Sequence, residues 1–530
     1  MKNTQALFAI KNDLIRKQRY IIKRVIIRST LILDTPTSLG NGDAESPIHL
    51  ALVRDSISEH ALLTGSSIAG AIRNYLREYE NGYMASEKAD DLATILFGAI
   101  RSDEDGNQSP LIIDDSISTS PIKFELRDGV EINSVTRTAA DKAKYDLELL
   151  QTGTEFPLCF ELLIERESDE PALLKGLAIA LQGLEKGEIS VGMKKRRGFG
   201  RCHVKEWQVW NFHMEDASDR MAWLTLDHSW LTEPPCTKLP AVNTSIIEAM
   251  KEVGLKFVEE FKDRRVRFTI QATFKLTSSL LIRSSQFETS RDPEFVHLKS
   301  HRPNPQSANQ PNAVPVLSGT SLAGVLRHRA ERIVNTLHEV NSQITQEIVN
   351  DIFGFPKGKK DINQPDSNSR KKKLEAKASR LVVHESIIKH TTDLVQSRIA
   401  IDRFTGGVYH GALFQEQPVL GGSNENLKLH LELCDPKDHE IGLLLLLLKD
   451  LWTEDLPVGG ASSVGRGRLQ GICANMTYYK SGKTQEWMIQ EQPDKTLHIS
   501  HPKKLEAMVE AFLRYSPSNS TSESKKKVVA

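Results

Sequence analysis

The sequence predicts an α+β protein in which one domain occurs twice in tandem, each copy with its elements in the order strand, helix, strand, strand, helix, strand. Three observations predict this. Matching segments recur in the same order in the two halves of the chain. Each half opens with an alternating, β-branched stretch, which is typical of a strand. Each half also contains two apolar stretches with helical periodicity.

The internal repeat is the first element of the argument, because self-similarity fixes the domain plan. TGSSIAGAIR (64–73) recurs as SGTSLAGVLR (318–327), and VGMKKRRGFGR (191–201) matches VGGASSVGRGR (458–468). Between these pairs, ILFG recurs as DIFG and PLIIDDSI as RLVVHESI. The offset between copies grows from 256 to 270 residues across the last two pairs, so the second copy carries an insertion.

That insertion, residues 355–380, holds nine basic and three acidic residues and almost nothing apolar. A segment of this composition cannot form a core. Two interpretations stay open: a solvated loop, or an electrostatic contact with RNA. The predicted domains are residues 20–210 and 262–480. A connector with a helical pattern at 245–263 fills 211–261, an extension covers 481–515, and a polar tail predicted to be disordered covers 516–530.

The strands and helices are predicted from periodicity. The opening strands are 20–33 and 266–277, and the closing strands are 202–210 and 469–479. The first helix has one apolar stripe with spacings i, i+3, i+4, i+7 and i+8, formed by Ile68, Ala71, Ile72, Tyr75 and Leu76. The second helices are 171–187 and 439–452. This element order is that of a ferredoxin-like (RRM-like) domain.

Composition excludes several classes of protein. The chain has 69 basic and 69 acidic residues, 39% hydrophobic residues and 26% charged residues, as a soluble globular protein does. Its five cysteines are scattered and form no CxxC pair, which argues against a zinc site or a disulfide framework and favours a reducing cytoplasm. The longest apolar run, 443–448, is far short of the roughly 20 residues that span a membrane, so we expect a buried helix there and no membrane partner. The N-terminus lacks the pattern of a secretory signal.

The repeated glycine–hydroxyl turn predicts an anion-binding helix start. Free N–H groups and the helix dipole favour an anion there, and hydroxyls add donors. An Arg follows two turns later in each copy. The residues concerned are Ser66, Ser67 and Arg73 in the first copy and Thr320, Ser321 and Arg327 in the second. The alternative is a helix N-cap without a ligand.

A second repeated motif is a glycine loop that precedes the last strand. Its glycines, at one fixed offset, let the backbone approach a phosphate closely. They are Gly192, Gly198 and Gly200 in the first copy and Gly459, Gly465 and Gly467 in the second. The first copy adds four basic residues: Lys194, Lys195, Arg196 and Arg197. No GK[ST] follows, so this is not a nucleotide-binding P-loop. The alternative is a surface turn with solvated lysines.

The third motif is the stretch 401–422, IDRFTGGVYHGALFQEQPVLGG, with a weaker partner at 135–154. Arg403 and Arg137 correspond. Its glycines and aromatic residues predict a flexible hairpin that projects from a sheet.

Together these residues resemble the RAMP superfamily of CRISPR-associated proteins, and most of all the backbone (Cas-seven-type) subunits of type III effector complexes. That family has a GSSLKG-like turn followed by Arg, a DRxTGGAxxGALF hairpin and a C-terminal glycine loop. Two such domains in one chain resemble the fused double backbone subunit of type III-D. The family's Lys in the turn is Ala69 and Ala323 here, so Arg73 or Arg327 would have to replace its phosphate contact.

The resemblance implies a guide-RNA-binding palm, with each hairpin acting as a thumb between bases. It also implies partners: CRISPR guide RNA, target RNA, other backbone subunits and the large polymerase/cyclase-type subunit. The residues expected to bind RNA are those of the three motifs, including Arg137 and Arg403. Such binding recognises backbone shape and leaves sequence to base pairing.

The resemblance further implies that an Asp in the loop after the first strand supports cleavage of target RNA with a divalent metal, Mg²⁺ or Mn²⁺. The candidates are Asp43, Glu45 and Asp55 in the first copy and Glu288 and Asp292 in the second. Alignment on PIHL and FVHL brings Asp43 and Asp292 within one residue of each other and puts His49 in register with His297. We expect the two Asp to be the catalytic and metal-binding residues and the two His to be structural. A non-catalytic scaffold and a guide-processing endoribonuclease remain the alternatives.

Overall fold

The structure is a computed structural model. It describes residues 20–40, 51–99, 107–133, 136, 138–225, 238–259, 261–284, 293–303, 312–338, 342–355, 376–409, 413–422, 425–480, 482–492 and 494–516. The chain forms two compact units. Unit 1 comprises residues 1–125, 148–193 and 200–265, and unit 2 comprises residues 126–147, 194–199 and 266–530.

The first nine strands follow one another along residues 21–243. They are β1 (Ile21–Leu33), β2 (Leu62–Leu63), β3 (Leu111–Ile113), β4 (Ser116–Ile117), β5 (Phe124–Ile132), β6 (Ala139–Leu150), β7 (Glu155–Glu165), β8 (Cys202–His213) and β9 (Ala241–Asn243). The main sheet of unit 1 has the order β3-β7-β1-β8-β9. β1 pairs antiparallel with β7 and β8, so the opening strand lies inside the sheet. β5 and β6 form a separate two-stranded hairpin.

The helices of unit 1 pack on both faces of its sheet. They are α1 (Gly65–Asn81), α2 (Leu92–Phe97), α3 (Glu170–Glu185), α4 (Ala217–Leu224) and α5 (Ile246–Glu252). α4 lies on one face, where Ala222 packs with Trp210 and Phe212, and the others contribute to the larger core on the opposite face. The predicted stripe of α1 is buried along its whole length, and α3 packs beside it over the same apolar core. α3 starts where the side chain of Asp169 accepts a hydrogen bond from Ala172 N at 3.1 Å, an ordinary N-cap.

Unit 2 repeats this plan with a larger sheet. Its strands are β10 (Arg267–Leu276), β11 (Arg283–Ser284), β12 (Phe295–His297), β13 (Lys299–Arg302), β14 (Asn312–Leu317), β15 (Leu381–Val383), β16 (Ser386–Ile387), β17 (Thr391–Asp393), β18 (Gln396–Arg398), β19 (Phe414–Gln417), β20 (Val419–Gly421), β21 (Leu427–Cys434), β22 (Leu469–Lys480), β23 (Lys483–Glu491) and β24 (Leu497–Ile499). The main sheet has the order β15-β21-β10-β22-β23-β24. Its helices are α6 (Gly319–Leu337), α7 (Ser342–Phe353), α8 (Asp438–Trp452) and α9 (Pro502–Leu513).

The leucine run of α8 lies in the core of unit 2, as predicted. Leu443, Leu444, Leu447 and Leu448 are buried there. Across the described residues, no helix is both long enough and apolar enough to cross a bilayer.

The two main sheets place equivalent strands in the same order. If the four strands of the predicted domain are numbered along the chain, both sheets have the order second, third, first, fourth. These strands are β3-β7-β1-β8 in unit 1 and β15-β21-β10-β22 in unit 2. The first helix of each unit follows the opening strand, and the second helix joins the third strand to the fourth. The prediction of a mixed α+β chain with a repeated strand and helix order is confirmed.

The connector helix is shorter than predicted, and two predicted segments lie largely outside the described residues. The connector helix ends at Glu252 and not near residue 263, because Gly254 has a left-handed φ of +79° and Leu255 is then buried. Most of the basic insertion (356–375) and the tail (517–530) lie outside the described residues.

Candidate nucleic-acid interface

The two glycine loops have the same backbone conformation. Each contains one turn of 3₁₀ helix, Lys195–Arg197 in the first copy and Ser462–Val464 in the second. The residue before each turn is left-handed, with φ of +55° at Lys194 and +58° at Ala461. A Cβ at Gly200 or at Gly467 would lie 1.8 Å from the carbonyl oxygen of the residue nine positions before it, so only glycine fits.

Basic residues of the first loop contact other residues of unit 2. Lys194 Nζ donates to Tyr145 Oη at 2.7 Å and lies 4.0 Å from the centre of its ring. The guanidinium of Arg196 donates to Cys434 Sγ at 3.1 Å. Arg197 is mostly buried, and burial followed by the nearby charge of Arg327 lowers its pKa. Lys195 is the exposed member of the set.

The main chain of the first glycine loop lies against the start of α6. A Cβ at Gly319 would be 2.3 Å from both the Arg197 and the Val383 carbonyl oxygens. A Cβ at Gly198 would be 2.6 Å from Glu385 N. At the equivalent Gly465 of the second loop, there is open space. Within unit 2, the basic glycine loop of the first copy therefore lies next to the start of α6 in the second copy. The sequence analysis predicted these two motifs separately.

The hydroxyl turns are N-caps in both copies. Thr64 Oγ1 accepts from Ser67 N at 3.3 Å, and Ser318 Oγ accepts from Ser321 N at 3.2 Å. Ser66 and Thr320 are exposed at the first turns of their helices. Both turns therefore cap their helices, and anion binding by Ser66, Ser67, Thr320 and Ser321 stays a prediction.

Arg73 and Arg327 have equivalent partners inside their own units. Arg73 Nη2 donates to the carbonyl oxygen of Gly98 at 3.0 Å and pairs with Glu87 at 2.6 Å. Arg327 Nη1 donates to the carbonyl oxygen of Gly354 at 2.6 Å. Both glycines end the helix that follows, so each Arg satisfies a free carbonyl at a helix C-terminus. Contact of these two Arg with RNA stays a prediction.

The hairpin regions expose apolar and aromatic side chains. Near residues 401–409, Asp402 Oδ1 accepts from Phe404 N at 2.7 Å and forms a turn. The side chain of Phe404 is fully exposed. Arg403, Val408 and Tyr409 are also exposed. Arg137 lies outside the described residues.

One buried carboxylate, which the sequence analysis did not single out, pairs with two arginines beside the first glycine loop. The side chain of Glu385 is fully buried and pairs with Arg127 at 2.7 Å and with Arg302 at 2.5 Å. Its counterpart in the first copy, Asp115, accepts a hydrogen bond from Gly65 N at 2.6 Å. The repeat carried a signal for it, since the aligned segments PLIIDDSI and RLVVHESI both have an acid at this position.

A second buried carboxylate, Glu416, lies under the second hairpin. It pairs with Arg398 at 3.1 Å and with Arg466 of the second glycine loop at 2.9 Å. Both Glu416 and Arg466 are nearly inaccessible to solvent. The second loop is thereby tied to its own hairpin region by a buried ion pair.

The predicted cleavage loops are described only in part. Asp43 and Asp292, with Glu45, His49 and Glu288, lie outside the described residues, so metal binding and cleavage stay predictions. Asp55 accepts from Ser58 N at 2.7 Å and from Ser58 Oγ at 2.6 Å, and these bonds lower its pKa. It acts as a turn former.

His297 is buried and lies between two main-chain groups. Its Nδ1 accepts from Ile282 N at 3.2 Å, and Nε2 lies 3.2 Å from the carbonyl oxygen of Val316. Burial lowers its pKa to about 4, so the ring is neutral near pH 7. These contacts describe a structural histidine.

This arrangement can hold a polyanion. It combines the exposed Lys195, the exposed Thr320 in the first turn of α6, and the guanidinium of Arg197, whose pKa is lowered by burial and then by the charge of Arg327. The sequence model of the RAMP superfamily matches residues 30–203 and 273–470, which is more than half of the chain and includes both repeats. No curated protein matches the chain significantly.

Proposed function

The chain belongs to the RAMP superfamily, which indicates a CRISPR-associated RNA-binding subunit, and we propose that it is a fused double backbone subunit of the type III-D kind. Each repeat is then a ferredoxin-like palm. The shared order of equivalent strands in the two main sheets supports this. The exposed hairpin residues near Phe404 act as a thumb.

The observation that carries guide binding is the contact of the first glycine loop with the start of α6. There the carbonyl oxygen of Arg197 lies against Gly319, and both Lys195, two residues before Arg197, and Thr320, directly after Gly319, are exposed. A phosphate at this position would meet a lysine, a hydroxyl and the N–H groups of a long helix. The partners we propose are CRISPR guide RNA, target RNA, neighbouring backbone subunits and the large polymerase/cyclase-type subunit, in the cytoplasm.

Guide binding is tested with the purified full-length chain and a labelled guide RNA. Replacement of Lys195 and Thr320 together by Ala is expected to weaken binding about tenfold or more, with the loss greatest at low salt. The matched control is Ser462→Ala, at the position equivalent to Lys195 in the second loop. Equal affinities for the double variant and the control would contradict the proposal.

Target cleavage is a separate proposal and rests on Asp43 and Asp292 with Mg²⁺ or Mn²⁺. A carboxylate in such a loop can position a hydrated metal or accept a proton. Asp43→Ala and Asp292→Ala, each tested in the assembled complex, should remove cleavage at different positions of the target while guide affinity is kept. Cleavage unchanged in the double variant would leave the non-catalytic scaffold. Cleavage of precursor guide RNA by the isolated chain would favour the processing enzyme.

A further inference from the structure

Three potential metal ligands lie together on the main sheet of unit 2. His384 follows the edge strand β15, and His430 and Glu432 lie on β21. Their donor atoms are all within 4.8 Å of one another, and all three residues are half-buried. The His384 and His430 rings stack with centres 4.3 Å apart.

The same three positions can be compared in the first copy, because the strand registers match. Val383 pairs with Leu431 as Ile113 pairs with Phe160. His384, His430 and Glu432 therefore correspond to Asp114, Cys159 and Glu161. The main chain agrees, since His384 N donates to the His430 carbonyl oxygen at 3.1 Å and Asp114 N to the Cys159 carbonyl oxygen at 3.3 Å.

In the first copy a guanidinium occupies this place. Arg28, which pairs with Cys159 across β1 and β7, forms a side-chain hydrogen bond with the Cys159 thiol. Arg24 pairs with Glu161. Burial raises the pKa of Cys159 to about 11, so it is not a thiolate near pH 7.

In the second copy the residue equivalent to Arg28 is Gln271, which pairs with His430 across β10 and β21 and is exposed. The carboxylate of Asp114 and the thiol of Cys159 are thus replaced by the imidazoles of His384 and His430. The guanidinium of Arg28 is replaced by the uncharged amide of Gln271. Further along β21, Arg196 donates to Cys434 Sγ, two residues beyond Glu432, and Arg380 donates to the Cys434 carbonyl oxygen.

We propose that His384, His430 and Glu432 bind a zinc-type divalent cation, with water completing its coordination. Two imidazoles and a carboxylate are ligands that Zn²⁺ accepts at about 2.0–2.2 Å, whereas Mg²⁺ prefers oxygen ligands alone. A tetrahedral ion holds its ligands about 3.3 Å apart, so the donor atoms, now within 4.8 Å of one another, have to approach by up to about 1.5 Å through side-chain rotation. The ion joins the end of β15 to β21, next to Glu385. This site is independent of the proposed RNA cleavage and of cysteine ligands.

The test uses the full-length chain, purified without a histidine tag and stripped of metal by a chelator. Titration with Zn²⁺ against a chromophoric chelator is expected to show one equivalent bound at micromolar free ion. His384→Gln and His430→Gln should each weaken this binding about tenfold or more. Excess Mg²⁺ should not compete. Co²⁺ bound in place of Zn²⁺ should give visible d–d bands without a thiolate charge-transfer band.

Two further variants separate ligand loss from misfolding. Gln271→Arg places the first copy's cation beside the site and leaves all three ligands, so it should abolish binding while the circular dichroism spectrum is kept. Asp114→Asn and Cys159→Ser, the equivalent changes in the first copy, should leave the stoichiometry unchanged. Zinc binding that is absent in the parent chain, or equally strong in the His384, His430 and Gln271 variants, would overturn the proposal.

Discussion

Arg127 and Glu385 form a buried ion pair in unit 2, with Arg127 Nη1 and Glu385 Oε2 2.7 Å apart. Their side chains are 5% and 0% exposed, and Arg302 reaches the other carboxylate oxygen. Arg127 lies on β5, the first strand of the hairpin, and Glu385 follows β15 at the edge of the main sheet. The Glu385 carboxylate therefore links β5, through Arg127, to β13, through Arg302. The first glycine loop lies against the same residue, since a Cβ at Gly198 would be 2.6 Å from Glu385 N.

Removal of this carboxylate should destabilise unit 2. Glu385→Ala leaves two guanidinium groups buried without their common partner, and breaking such a pair costs about 3–5 kcal/mol. Urea denaturation is the measurement. Glu215→Ala is the matched control, because Glu215 pairs with Arg166 at 2.6 Å but both side chains are 58% exposed. We expect the control to change the free energy of unfolding by no more than about 1 kcal/mol, and equal effects of the two variants would refute the prediction.

The equivalent glycines Gly198 and Gly465 should respond differently to alanine. Both are left-handed, with φ of +84° and +87°, so each variant incurs a backbone cost of about 1–2 kcal/mol. Only Gly198 is packed, since a Cβ there would lie 2.6 Å from Glu385 N. Gly198→Ala should therefore destabilise the protein by about 1–3 kcal/mol more than Gly465→Ala. Thermal unfolding of the two variants side by side measures the difference, and no difference would mean that the contact with β15 is not formed.

Arg327 should behave as a structural residue when it is shortened. Arg327→Ala removes the donor to the Gly354 carbonyl oxygen and to Asn350, at a cost of about 1–3 kcal/mol. If the residue acts only in this way, the salt dependence of RNA binding by the folded variant equals that of the parent chain. A smaller salt dependence, measured by titration at several salt concentrations, would instead assign Arg327 a phosphate contact.

Acid should destabilise unit 2 through His297. The pKa of this buried ring is about 4 when folded, below its value of about 6.5 when unfolded, so the unfolded chain binds the proton more readily. Its contribution is complete above pH 6.5 and is lost as the pH falls toward 4, up to about 3 kcal/mol. His297→Gln keeps hydrogen-bonding groups without this titration and should flatten the stability profile between pH 6.5 and 4. His498→Gln, at an exposed position, is the control. A profile that His297→Gln leaves unchanged would count against the prediction.

The fold was predictable because it depends on local patterns that occur twice. Alternation marked β1 and β10, and the stripe from Ile68 to Leu76 marked the buried face of α1. The partners of charged residues were not predictable, since Arg127 and Glu385 are 258 positions apart. The helical pattern of the connector extended past Gly254 in the sequence, although the backbone there is left-handed. The two motifs that meet at Arg197 and Gly319 were each recognised, but only the fold brings them together.

The basic charge of the first glycine loop should account for an asymmetry in RNA binding between the two repeats. Lys195 is exposed in a 3₁₀ turn whose backbone is reproduced at Ser462, so the two positions differ in side chain and not in conformation. Lys195→Ser should lower the slope of log K against log salt by about 0.7, the value for one phosphate of a single strand. Ser462→Lys should raise it by a similar amount if the second loop also faces the guide. Fluorescence anisotropy with one guide RNA at several salt concentrations measures both slopes. A slope that Lys195→Ser leaves unchanged would show that the exposed lysine is solvated in the complex, and the hydroxyls and main-chain N–H groups of α6 would then have to carry the phosphate contact.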